Sequence, residues 1–118
     1  MAIKVRTCKL FKKTAEAYAK NKQVKDKLAE FIRVKTENPQ NPFGSKDRPF
    51  TREGNLSGYV HAGVSFDVSV IYKIGNVNGE KTLDLYGVFS HDELGIGQPA
   101  SIKRQKSNAE KLDNQALA

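Results

Sequence analysis

The sequence predicts an α+β domain: a short strand, two helices, then a three-stranded antiparallel meander, with the helices packed on one sheet face. Three observations predict it. Apolar residues recur at helical spacing through 9–36, alternation takes over after residue 58, and Asn78-Gly79 marks a tight hairpin between the last two apolar runs. At 118 residues the chain suits one domain with a single core.

Ile3 and Val5 alternate with Lys4 and Arg6, a period of two that predicts a strand over 2–7. Phe11, Ala15, Tyr18 and Ala19 form the apolar stripe of a helix over 9–20, with Lys12, Lys13 and Lys20 off that stripe. Val24, Leu28, Phe31 and Ile32 do the same for a helix over about 22–36, which Asn38-Pro39 and Asn41-Pro42 end. Residues 37–55 hold three of the four prolines and read as a long loop, a length uncommon without a role.

Strands follow at 58–64, 66–74 and 81–90. A type I′ turn at Asn78-Gly79 pairs Val77 with Glu80 and so sets a register. Ile74, Tyr72, Val70 and Val68 then oppose Leu83, Leu85, Gly87 and Phe89 on the core face. The other face opposes Lys73 to Asp84, a favourable charge pair, and Asp67 to Ser90. These elements define a domain over 1–94. Residues 95–118 form a basic extension with few apolar anchors (Ile102, Ala109, Leu112), consistent with a marginal helix or a disordered tail.

Charge is distributed unevenly. Residues 1–36 carry 11 basic and 3 acidic side chains, whereas 66–98 carry 2 and 5, within an overall net charge of +7. A basic N-terminal third predicts a phosphate-rich partner, with Lys12, Lys13, Lys20, Lys46, Lys103 and Arg104 as candidate nucleic-acid contacts. Solvated lysine-rich helices are the plainer alternative. The absence of a long apolar run predicts no membrane span, and the charged start predicts no signal peptide. A single cysteine, Cys8, excludes an internal disulfide and fits a reducing cytoplasm; with His61 and His91 it makes too few ligands for a structural zinc site. No metal or cofactor is expected.

No phosphate-binding glycine loop, nucleophile elbow or paired-histidine motif occurs. The candidates for chemistry are Arg48, Arg52, His61, Asp67 and His91, with Ser90 beside them. His91 ends the last strand and has the side chain suited to general acid work near neutral pH; beside Asp92 and Glu93 it also suits an ordinary surface position. Asp67 reads either as an orienting carboxylate or as a solvated strand entry. The derived register sends His91 to the core side and Asp67 to the other, so the two converge only if the strand twists or breaks near Gly87 to Ser90.

Lys46-Asp47-Arg48-Pro49-Phe50, Gly58-Tyr59, Asp67, Ile71-Tyr72-Lys73 and Ser90-His91-Asp92-Glu93-Leu94 together resemble the RelE/ParE toxin superfamily, most of all its YafQ-type branch. The resemblance covers about residues 2–94. It implies a ribosome-dependent endoribonuclease that cleaves mRNA without a metal and is neutralised by a cognate antitoxin. It places His91 at the catalytic C-terminal histidine and Asp67 at the catalytic aspartate. Arg48 stands at the loop histidine, and Gly63 where a second histidine is usual, with His61 two residues earlier, about 7 Å along a strand. Gly87 replaces an arginine and Val68 a tryptophan, and Arg52 is the candidate to supply the missing charge. The alternatives are a ParE-like inhibitor of DNA gyrase and a non-catalytic RNA- or DNA-binding protein of the same fold.

Overall fold

A computed structural model describes residues 3–44, 47–50, 56–94 and 102–118. In chain order they form β1 (Lys4–Arg6), α1 (Lys9–Ala17), α2 (Lys22–Glu37), β2 (Arg48–Pro49), β3 (Val60–Gly63), β4 (Val68–Val77), β5 (Glu80–Ser90), α3 (His91–Leu94) and α4 (Ile102–Asp113). The strands make one mixed sheet in the order β1-β5-β4-β3-β2. β1 runs parallel to β5 and every other pair is antiparallel. Cys8 caps α1 by accepting from the Phe11 N–H, and Asn21 caps α2 by accepting from Val24.

The first core lies between α1, α2 and the sheet. Phe11, Val24 and Phe31 meet Val70, Tyr72, Leu83, Leu85 and Val88 there, all buried. The Asn78-Gly79 turn has φ of 53° and 86°, as a type I′ turn requires. The predicted register holds from Val77↔Glu80 to Tyr72↔Leu85.

Beyond that point the register shifts by one. A bulge at Tyr86 sets Ile71 opposite Gly87, Val70 opposite Val88, Ser69 opposite Phe89 and Val68 opposite Ser90. An extra residue in one strand reverses the faces of everything after it. Val88 therefore enters the first core, while Tyr86 and Phe89 enter a second cluster on the opposite face. Thr14 Oγ1 on α1 accepts from the Val88 N–H at 2.9 Å, satisfying β5 where β1 no longer flanks it.

Lys73 does stand opposite Asp84, but the expected ion pair is not made. β1 brings Arg6 alongside Asp84, and the guanidinium donates to both carboxylate oxygens at 2.7 and 2.6 Å. That two-pronged geometry suits arginine better than lysine. Lys73 instead lies over the Tyr59 ring, 4.1 Å from its centroid.

α1 and α2 cover one sheet face, and α4 covers the other. Ala109 and Leu112 pack against Tyr59, Ile71, Tyr86, Phe89 and Leu94. Polar contacts fix the helix: Asn108 donates to the Glu93 carbonyl, Gln105 to the Leu94 carbonyl, and the Tyr59 hydroxyl to Asp113. Burial, then that hydrogen bond, pushes the Tyr59 hydroxyl pKa upward. Leu112 is 1% exposed, so Leu112→Ala is expected to cost about 2–5 kcal/mol in urea unfolding. A loss well below about 1 kcal/mol would mean that α4 contributes no core. No described helix is long and apolar enough to cross a membrane.

Candidate functional site

The site is assembled by the bulge. With β5 reversed after Tyr86, the chain leaves Ser90 with His91 turned toward the face that carries Ser69 and Ile71. The His91 N–H donates to the Asp67 carbonyl at 2.7 Å, continuing the ladder past the last strand pair. The His91 Nε2 lies 3.2 Å from Ser69 Oγ, and Ser69 is fully buried. The break that sequence reasoning required is thus present, one residue before Gly87. Which atom donates in the Ser69–His91 bond depends on the imidazole tautomer.

Ser90 and Glu93 hold this corner in shape. Ser90 Oγ accepts from the Glu93 N–H, while the Glu93 carboxylate accepts from the Ser90 N–H and hydroxyl at 3.1 and 3.0 Å. This reciprocal cap stabilises the turn that presents His91. Arg104 on α4 pairs with Asp92, tying the same turn to the C-terminal helix.

Asp67 precedes Ser69 by two residues, and its carboxylate is exposed and accepts from Ser65 Oγ at 3.4 Å. Across the sheet, one register row runs Arg48, His61, Ile71, Gly87, and the next row on the same face, two residues on, runs Gly63, Ser69, Phe89. Gly63 therefore faces the residue that holds His91, whereas His61 stands one row away, about 7 Å along β3. The His61 ring packs against Phe50, with centroids 4.6 Å apart. His91 and Ser69 are in contact, Asp67 borders them, and His61 shares their face from the adjacent row.

Arg48 has its backbone paired with His61. Arg52 and Lys46 lie outside the described residues. Lys12, Lys13 and Lys20 are exposed on and just after α1; Lys103 and Arg104 are exposed on α4. Sequence reasoning missed Ser69, whose only sign was a hydroxyl inside an apolar strand, and Lys73, the cation held over Tyr59 and Tyr86. It also missed Ser90-x-x-Glu93, which carries the signature of a helix cap.

Asp47 fixes the start of β2. Its carboxylate pairs with Lys35 Nζ at 2.5 Å, accepts from the Tyr72 hydroxyl at 2.5 Å and accepts from the Phe43 N–H at 2.7 Å. Lys35 Nζ also donates to the Asn41 carbonyl at 2.6 Å. These contacts bind the 37–50 segment to α2 and β4, and thereby set where Arg48 meets His61. Burial, then the bond to Asp47, pushes the Tyr72 hydroxyl pKa up.

The space beside Gly87, where the resemblance implies an arginine, is filled. A Cβ on Gly87 would lie 2.4 Å from Phe89 Cε2, and the Phe89 ring is buried beneath α4. Gly87→Arg alone is therefore expected to destabilise by about 1–3 kcal/mol through overpacking. Combining it with Phe89→Ala should give a smaller loss than the sum of the two single changes. Strictly additive losses in thermal unfolding would show that the ring does not compete for this space.

No protein-family model matches the sequence, and no curated protein does. Solved structures do match in fold. A YoeB/ParE toxin from Agrobacterium tumefaciens superposes with a TM-score of 0.62 at 17% identity, covering 75% of this chain and 99% of its own. YafQ from E. coli superposes with a TM-score of 0.62 at 22% identity, covering 78% and 97%. The E. coli DinJ-YafQ toxin-antitoxin complex gives a TM-score of 0.57 at 21% identity, covering 77% and 94%. The chain thus has the fold of the YoeB/ParE and YafQ toxins.

Proposed function

We propose that this protein is a toxin of the RelE/YafQ kind: a ribosome-dependent endoribonuclease that cleaves mRNA in the cytoplasm, inhibits translation and is neutralised by a cognate antitoxin. The observation that carries the reading is His91 Nε2 held 3.2 Å from buried Ser69, on the sheet face shared with His61 and bordered by Asp67. The fold shared with YafQ supports it, and the DinJ-YafQ complex supports an antitoxin as partner. In this reading residues 1–94 are the toxin domain and 95–118 a basic extension.

The chemistry needs no metal. The ribose 2′-oxygen forms a bond to the adjacent phosphorus while the bond to the departing 5′-oxygen breaks. A base, Asp67 or His61, takes the 2′-hydroxyl proton, and His91 delivers a proton to the 5′-oxygen. Arg48 or Arg52 offsets the charge that builds on the phosphorane oxygens. Ser69 orients the His91 ring, so its work is positioning. Induced expression followed by primer extension on cellular mRNA tests the proposal: new cuts within translated mRNA support it, and growth arrest with intact mRNA contradicts it.

One observation favours a second reading. Phe89 occupies the space beside Gly87, and α4 covers much of the candidate face. Both suit a binding protein without cleavage, such as a ParE-like gyrase inhibitor. That reading predicts DNA breaks on expression, no mRNA cuts, and toxicity indifferent to His91.

A further inference from the structure

Lys9 and Lys13 stand one turn apart on α1, a like-charge pair that weakens a helix rather than supporting it. The far end of the sequence adds a third cation to the same place. Lys111, in the last turn of α4, lines with them a cavity of about 500 Å³, with Leu10 and Gln115 also on its wall. The fold clamps the two ends together there. The Leu10 N–H donates to Gln115 Oε1 at 3.2 Å, and Thr7 and Ala118 exchange backbone hydrogen bonds at 3.3 and 3.0 Å.

The charge in this cavity is one-sided. Its lining includes no carboxylate, and none of the three lysines makes an ion pair among the described residues. The first turn of α1 carries no acidic residue either. Gathering like charges costs stability unless an anion completes the arrangement. The side-chain amides of Asn114 and Gln115 already donate to the Glu110 and Lys111 carbonyls. The charged groups on the cavity wall are the three ammonium groups, which suit phosphate oxygens.

We infer that this cavity between α1 and the C-terminal segment is a binding site for the phosphate backbone of RNA, built by Lys9, Lys13 and Lys111. The phosphate chemistry stands on the cavity alone; the choice of RNA as its carrier rests on the proposed function. The site lies on the α1 and α4 ends, apart from His91 and Ser69, and would anchor RNA without taking part in cleavage.

The test uses the full chain and a fluorescent single-stranded RNA whose dissociation constant is followed against salt. Lys9→Gln, Lys13→Gln and Lys111→Gln are each compared with Lys81→Gln, an equal charge change near the hairpin tip, where Lys81 pairs with Asn76. Each cavity variant should weaken binding about threefold to tenfold and lower the log–log salt slope by about 0.7, the value for one single-strand phosphate. Lys111→Arg should restore most of the affinity, and Lys81→Gln should change it less than about twofold. Lys111→Gln behaving like Lys81→Gln overturns the site, as does a loss shared equally by all four variants. If inorganic phosphate stabilises the protein through Lys111 while RNA affinity ignores that residue, the cavity takes a small anion and the RNA assignment falls. Cleavage is not part of the readout. Lysine-dependent RNA binding without mRNA cuts would remove the nuclease reading and leave the site, and mRNA cuts with no Lys111 effect would do the reverse.

Discussion

His91→Ala is expected to lower ribosome-stimulated mRNA cleavage by about 10²–10⁴-fold, the usual contribution of a positioned general acid. The fold should survive the change, because His91 is only half-buried and its N–H to Asp67 carbonyl bond belongs to the backbone. Ser69→Ala should act in the same direction and more weakly, since it removes the partner that orients the ring and not the acid itself. Its effect should fall on turnover more than on ribosome affinity. Equal turnover for wild type and His91→Ala would eliminate the histidine as the acid and move the reading toward gyrase inhibition or plain binding.

Asp47→Ala is expected to cost about 3–5 kcal/mol in denaturant unfolding, the range for breaking one side of a buried ion pair. The Lys35 and Asp47 side chains are 4% and 3% exposed, so the orphaned ammonium cannot turn to water without disturbing α2. The change also strands the Tyr72 hydroxyl inside the first core. Asp47→Ala combined with Lys35→Met should recover part of the loss, because a buried charge without a partner is the costlier state. A double variant as unstable as the sum of its parts would assign the cost to Tyr72 and the Phe43 N–H instead.

The architecture was legible in the sequence where periodicity was clean. α1, α2 and the Asn78-Gly79 hairpin follow from apolar spacing and turn chemistry, and the register holds through Tyr72↔Leu85. It fails next to Tyr86 for a physical reason. Residues 85–89 are almost wholly apolar, and both faces of the sheet are covered there, so no polar alternation marks which face each residue takes. The second cover, α4, was hard to foresee because few apolar anchors hold it; Ala109 and Leu112 suffice since Tyr86, Phe89 and Leu94 supply the rest of the contact.

The candidate site was legible in part for related reasons. His91 and Asp67 were visible as residue types at strand ends, and the bulge that turns His91 onto the face of Ser69 was not. Parity alone placed His61 on the face of Gly63, and the pairing of His61 with Ile71 keeps it there. Asp47 sits in a motif quoted for its family resemblance, yet its contacts are structural, to Lys35, Tyr72 and Phe43. A sequence shows that an aspartate lies in a loop. Only the packed chain shows which buried cation it neutralises.

The most direct test of the central claim incubates purified protein with a defined mRNA, once free and once programmed on ribosomes, and maps the ends produced in each. A ribosome-dependent nuclease of this kind should cut within the ribosome-bound message and little or not at all in the free RNA, should need no divalent metal in the cleavage step, and should lose the cuts in His91→Ala. Intact mRNA on the ribosome with wild-type protein, under conditions where the protein binds, would contradict it.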